Sequence, residues 1–235
     1  MHQLRWRNVL SMALIEVYAD IWCPFTHVGL RSVLQRRNQL GRDDVVVHVR
    51  AWPLELVNGE PLDPTATARH VDDLRAQVAP DLFTHFVPEH FPRTTFPALA
   101  LAAAAYRKDD RVGELISLAL RHALFEEGRD ISRPDVLADV GRAHGVIDIG
   151  SEDDEIVRRE WHEGEVRGVK GSPHFFCGDD INVFCPSLHV SKDEAGHLQL
   201  RRNVELLNAF LAECFKQGDM PVDRSIGPHN HARFV

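Results

Sequence analysis

Asp20-Ile21-Trp22-Cys23-Pro24-Phe25-Thr26-His27 marks the point where one pattern in the chain gives way to another. Upstream, Leu14-Ile15-Glu16-Val17-Tyr18-Ala19 is rich in β-prone residues and predicts a strand ending at Asp20. Downstream, Val28, Leu30, Val33, Leu34 and Leu40 recur at helical spacing, and Gly41 stops the pattern. Pro24 suits the first turn of that helix, where a missing N–H has no partner to lose. Val45 to Trp52 then reads as a second strand closed by Pro53. Strand, helix, strand is a βαβ unit, whose two strands should run parallel. Cys23 thus falls immediately before a helix, where unpaired N–H groups and the positive end of the helix dipole favour thiolate over thiol. His27, if protonated, would add positive charge. The competing assignment is a buried structural cysteine, a common fate of free thiols.

Further along, helical stretches are expected near 65–79, 95–107, 111–126, 133–143 and 152–167, with 56–64 as a loop. Ala100 to Ala105 is the strongest helix former of these, and Ser132 ahead of Pro134 suggests a serine cap. Strand character returns at His174-Phe-Phe-Cys177, turns at Gly178-Asp-Asp, and continues through Ile181-Asn-Val-Phe184 as a hairpin partner. A last amphipathic helix covers Asn203 to Phe215. The order is βαβ, a block of helices, then ββα. The expectation is an α/β fold with two units, 14–60 with 168–216 and a helical insertion 61–167, flanked by flexible tails at 1–13 and 217–235.

The 235 residues are 44% hydrophobic and 26% charged, with a formal charge of -8, which suits a packed soluble protein. An acidic chain lacks the basic stripe a nucleic-acid binder needs, and no apolar run approaches the ~20 residues that span a bilayer. The N-terminal stretch shows no small-x-small cleavage site, so a cytoplasmic location is expected. Fourteen histidines raise the question of metal, but His85 and His90, and His229 and His231, are not spaced as ligands on one helix face, so no metal site is expected. The acidic run Glu152 to Glu155 suits a helix start and needs no ligand. Arg93-Thr94-Thr95 reads as an ordinary helix start.

Asp20-x-x-Cys23-Pro24, a long helical block, and a late Gly171-Ser172-Pro173 feeding a hairpin together resemble the DsbA-like branch of the thioredoxin superfamily. Within it the chain is similar to the FrnE-type oxidoreductases, a group that includes 2-hydroxychromene-2-carboxylate isomerase and kappa-class glutathione transferase. Trp52-Pro-Leu-Glu-Leu and Asp130-Ile-Ser-Arg-Pro-Asp-Val-Leu resemble further phrases of that group, so the likeness spans about residues 14 to 215. It implies a thioredoxin-like fold in which Cys23 is the nucleophile and Pro173 a cis-proline. On the residues alone, both isomers of the Ser172–Pro173 bond stay open. The resemblance further implies that Ser172 faces the sulfur and that its backbone pairs with an extended substrate, with Pro24, His27, Ser172 and Pro173 forming the binding surface.

The departure from the family pattern is Thr26, which stands where redox members carry a second cysteine. A second thiol normally resolves the mixed disulfide, and Thr26 cannot. It can donate a hydrogen bond to the Cys23 sulfur. Of the other cysteines, Cys177 and Cys214 read as core, and Cys185, before Pro186, is the better candidate for a second reactive thiol. The expected function is therefore a DsbA-family thiol–disulfide oxidoreductase working through Cys23 and Thr26, with no tightly bound cofactor. Glutathione or another low-molecular-weight thiol would resolve the intermediate formed with a thiol or disulfide substrate. The alternatives are a glutathione-type thiol-dependent isomerase or transferase acting on a small aromatic compound, and a non-catalytic peptide-binding module; the insertion suits a deep cleft for either enzyme. Isomerase members carry serine at the cysteine position, so Cys23 favours redox chemistry. The pattern does not specify an oligomeric state.

Overall fold

The computed structural model describes residues 14–218. In chain order the elements are β1 (Leu14–Ala19), α1 (Pro24–Gln39), β2 (Val46–Ala51), a short α2 (Leu54–Asn58), α3 (Pro64–Gln77), α4 (Phe96–Lys108), α5 (Asp110–Phe125), α6 (Pro134–Ala143), α7 (Ser151–Val166), β3 (His174–Cys177), β4 (Ile181–Phe184), β5 (Leu188–Lys192), β6 (Leu198–Arg202) and α8 (Val204–Gly218). A single 3₁₀ turn, Pro88–His90, precedes α4. The expected βαβ–helices–ββα order is present, with α3 to α7 between β2 and β3. The tail expected from 217 lies outside the described residues, except that α8 continues to Gly218; the tail expected at 1–13 lies wholly outside them.

One four-stranded sheet has the order β2-β1-β3-β4. β1 and β2 are parallel, with Val17 opposite Val49, and β3 is antiparallel to both β1 and β4. Alternation along β1 sorts its side chains between two faces. Ile15, Val17 and Ala19 point into a core shared with Leu30 and Val33 of α1 and Phe210, Leu211 and Cys214 of α8. On the other face Tyr18 meets Trp52 and Phe176 edge-on, at ring-centre distances of 6.3 and 5.6 Å. A Cβ at Gly164 of α7 would stand 2.6 Å from the Trp52 ring, so the bare glycine is what lets α7 lie over this aromatic layer. A second, larger core gathers the inserted helices around Ala98 to Ala105, Leu120, Leu124 and Phe125, and takes in Ile21, Trp22, Val28 and Ala51 from the βαβ unit.

β2 is a sheet edge, and an exposed edge invites pairing with other chains. Here the inserted helices cover it group by group. Glu114 of α5 accepts from Val47 N (2.8 Å), Tyr106 of α4 accepts from Val49 N (2.8 Å), and Glu160 of α7 accepts from Ala51 N (2.8 Å). The Tyr106 hydroxyl donates in turn to Val47 O, and Arg37 of α1 donates to Val45 O while pairing with Glu114 at 2.7 Å. The every-second-residue spacing of these contacts is the period of the strand itself. Gly113 makes room for the Tyr106 ring, which a Cβ there would meet at 2.1 Å.

Three local expectations change. The start of the expected loop 56–64 is instead helical: Leu54–Asn58 form the short helix α2 between Pro53 and the left-handed Gly59. Ser132 does not cap α6: the cap position is Arg133, and Ser132 instead donates to the Asp130 carboxylate. The β5–β6 hairpin has no counterpart in the sequence reading. It docks on α3, where Gln77 donates to Leu198 O and accepts from Leu200 N, and it buries Leu188 and Leu200 in the helical core.

Candidate active site

Cys23 is the N-cap residue of α1, with extended backbone (φ −76°, ψ 113°) and Pro24 following in the first turn. No side chain caps this end, so the first-turn N–H groups and the positive pole of the helix are left to the sulfur. The thiol is buried and donates to Ser172 O at 3.1 Å. The Ser172–Pro173 peptide is cis, as the resemblance implies. α1 lies close against this loop; a Cβ at Gly29 would stand 3.4 Å from Pro173 Cγ and from Ser187 Oγ. Cys23, Pro24, Ser172 and Pro173 are therefore together at one end of the sheet, though their positions differ by about 150 in the chain.

Thr26 does not do what the sequence suggested. Its hydroxyl is engaged with Ser172 Oγ at 2.7 Å and makes no hydrogen bond to Cys23, because it faces the loop rather than the sulfur. Ser172 Oγ also accepts from Asp20 N at 2.9 Å. The serine hydroxyl thus ties the end of β1 and the first turn of α1 to the cis-proline loop.

The positive charge that His27 would add if protonated is likewise absent. His27 is buried, and its Nε2 donates to Glu126 Oε1 at 2.7 Å. Phe83 and Phe125 pack against the ring, at centroid distances of 5.3 and 5.1 Å. Burial pushes the imidazole down to about 4, so it is neutral at physiological pH. Glu126 also accepts from Phe83 N, Thr84 N and Thr84 Oγ1; these bonds and that from His27 outweigh its burial and hold the carboxyl down to about 2. His27 fastens α1 to the inserted helices rather than charging the sulfur.

None of the four cysteines is in a disulfide. Cys177 and Cys214 are buried and hydrogen-bonded to one another. Cys185 sits beside the site: its N–H donates to Pro173 O at 3.0 Å, and its backbone is left-handed at φ 48°. It is nonetheless buried. Burial, with the charge of Cys23 adding to it, pushes the Cys185 thiol up to about 12. At neutral pH this cysteine is a protonated thiol and a poor attacking group.

A buried polar assembly behind Cys23 was not signalled by the sequence. The Asp20 carboxyl accepts from Ile21 N (2.7 Å) and Leu54 N (2.6 Å), and burial pushes it up to about 6. The Asp20 carbonyl accepts from Arg121 of α5 at 3.0 Å. Trp22 stacks flat on Phe91, 5.6 Å between ring centres, fixing the residue before the cysteine. A spacing argument could have found Asp20, which precedes Cys23 by one short turn. Arg121 and Glu126 come from the inserted helices, and nothing local to the Cys-Pro segment points to them.

The model of the DSBA-like thioredoxin domain family matches residues 14–194. The chain belongs to that family. With membership comes the class of chemistry, a DsbA-like thiol–disulfide oxidoreductase or isomerase. No curated protein matches the sequence. Solved structures share the fold at low identity. A candidate protein disulfide isomerase from Nitrosomonas europaea is 16% identical with a TM-score of 0.61, covering 87% of this chain and 98% of its own. 2-Hydroxychromene-2-carboxylate isomerase is 16% identical with a TM-score of 0.57, covering 87% and 97%. The cytosolic disulfide reductase DsbM from Pseudomonas aeruginosa is 16% identical with a TM-score of 0.53, covering 87% and 98%.

Proposed function

We propose that this protein is a monothiol member of the family, with Cys23 as the single nucleophile. The Cys23 thiolate attacks one sulfur of a substrate disulfide, forming a mixed disulfide and expelling the other sulfur as a thiolate. A low-molecular-weight thiol of the glutathione class then attacks the mixed disulfide and releases Cys23. The observation that carries the reading is the pairing of Cys23 Sγ with Ser172 O at 3.1 Å, in a site where Thr26 is a hydroxyl and Cys185 a high-pKa thiol. A thiol donates to that carbonyl and a thiolate cannot. Ionisation of Cys23 therefore frees Ser172 O to accept an N–H from an extended substrate lying across Pro173 and Pro24. His27, buried on Glu126, serves the binding surface by fixing α1.

A glutathione complex of the Pseudomonas aeruginosa DsbM supports a small thiol as the partner, and the cytosolic location in that protein's name supports the same compartment here. No helix among the described residues is long and apolar enough to cross a membrane. We assign the two-unit division, 14–60 with 168–216 and 61–167, on the chain order, in which α3 to α7 lie between β2 and β3; the larger core joins the two units, taking in Ile21, Trp22, Val28 and Leu188 beside the helices. A cavity of about 580 Å³ lies along α1 between His27, Arg31, Leu82, Leu118 and His122, and neither Cys23 nor Pro173 lines it. The redox reading leads because Cys23 stands where the isomerase members carry serine.

Deglutathionylation of a glutathione–peptide mixed disulfide, with glutathione supplied in excess, tests this. Turnover should require glutathione, vanish in Cys23→Ser and persist in Cys185→Ser. Turnover that stops in Cys185→Ser would replace the monothiol scheme with an intramolecular one.

A further inference from the structure

Arg121 is the least expected side chain in the molecule. It is fully buried, yet no carboxylate oxygen bonds to it. Nη1 donates to Ser117 O (2.8 Å) and Ser117 Oγ (2.6 Å), Nη2 donates to Asp20 O (3.0 Å), and Nε has no hydrogen-bond partner. A buried guanidinium remains charged, and a buried charge without a counter-ion is costly. Arg37, the other buried arginine among the described residues, avoids that cost by a direct ion pair with Glu114.

The acids that face Arg121 narrow its purpose. Tyr106, on α4, is held neutral because burial raises its hydroxyl. Glu160, on α7, is already committed to Arg50 and Ala51 N. The two that remain are Asp20 and Cys23, at either end of one short segment whose first carbonyl the guanidinium holds at 3.0 Å. Asp20 turns its carbonyl, not its carboxylate, to Arg121, and spends the carboxylate on Ile21 N and Leu54 N. The cation is thus held by the backbone that leads into the nucleophile.

We propose that Arg121 is a positioning residue for the thiol chemistry: its buried charge is the counter-charge of the Cys23 thiolate, and Asp20 competes for it. This inference rests on Cys23 being the nucleophile and adds a second source of thiolate stabilisation to the helix terminus. It also explains a buried arginine on an inserted helix, because a charge supplied from α5 makes reactivity depend on that helix being docked.

The test is the rate of Cys23 alkylation by iodoacetamide, which reports thiolate without requiring any disulfide exchange. Arg121→Met should lower the rate at about pH 6.5 by about ten-fold or more and leave it unchanged at about pH 10, where the thiol is ionised regardless. Arg121→Lys should recover most of the rate. An Arg121→Met protein that alkylates at the parental rate at both pH values, or is slowed equally at both, would overturn the proposal. Should Arg121→Met fail to fold, Asp20→Asn answers the same question with the opposite sign. Removing the competing carboxylate should speed alkylation at about pH 7.5, above the Asp20 value of about 6, and a slower or unchanged rate would contradict the proposal. Failure of the monothiol scheme shows separately, as loss of deglutathionylation with alkylation intact.

Discussion

Along the outer edge of β2, the N–H groups of Val47, Val49 and Ala51 are held by Glu114, Tyr106 and Glu160, whereas beside Cys23 the carbonyl of Ser172 is held by a thiol. In the first set the side chain is the acceptor, and in the second it is the donor. The second loses its proton when the cysteine ionises. Both are backbone groups satisfied by side chains, and the chemistry of the partner separates a closed edge from a working one. The same inserted helices serve both regions, sealing β2 through Glu114 and Glu160 and reaching the Cys-Pro segment through Arg121 and Glu126.

The comparison breaks if damage to the sealed edge reaches the cysteine. Glu114→Ala leaves Arg37 buried without its ion pair and Val47 N without an acceptor. It should cost about 3–5 kcal/mol in denaturant unfolding while Cys23 alkylation in the folded protein is unchanged. A large fall in alkylation would mean that the two regions are one unit.

Next in size is an acid effect from the His27–Glu126 tie. A histidine kept neutral by burial binds a proton less readily folded than unfolded. Its contribution is therefore complete above pH 6.5 and is lost as pH falls towards about 4, worth about 3 kcal/mol over that interval. Glu126, depressed to about 2, adds a further loss below its ordinary range, from pH 4.5 downward. Denaturant melts between pH 7 and pH 4 should show the first loss in the parent and a flatter profile in His27→Phe.

Thr26→Cys sharpens the working region. It removes the hydroxyl bonded to Ser172 Oγ, at a cost of about 1 kcal/mol, and places a thiol where redox relatives carry one. The variant should close an intramolecular disulfide with Cys23 on oxidation, seen by mass as the loss of two hydrogens, and the parent should not. The smallest expected effect is that of Cys185→Ser, under about two-fold in deglutathionylation, because a thiol pushed up to about 12 is almost wholly protonated at neutral pH.

Much of this organisation is legible in the chain, and the gaps have physical reasons. Pro24 and Gly41 bracket α1, and the β-branched residues of Val45 to Val49 mark β2, because these signals are local. The β5–β6 hairpin carried a signal as well. Leu188 and Val190, then Leu198 and Leu200, alternate around a turn containing Gly196, but the short strands pack on α3 instead of joining the main sheet. Cys23 was readable as an N-cap residue, while the partners of Thr26 and His27 were not. Ser172 and Glu126 are supplied by tertiary packing from 146 and 99 positions away. Arg121 carries no local signal at all, and only the fold buries it.

The most direct test of the central claim is intact-mass analysis after a short incubation with oxidised glutathione at about pH 6, well below the ~8.5 of an unperturbed thiol, with Cys23→Ser run in parallel. The account predicts a single glutathione adduct, mapped to Cys23, that added glutathione reverses and that Cys23→Ser lacks. An adduct confined to Cys185, or none at all, would contradict it.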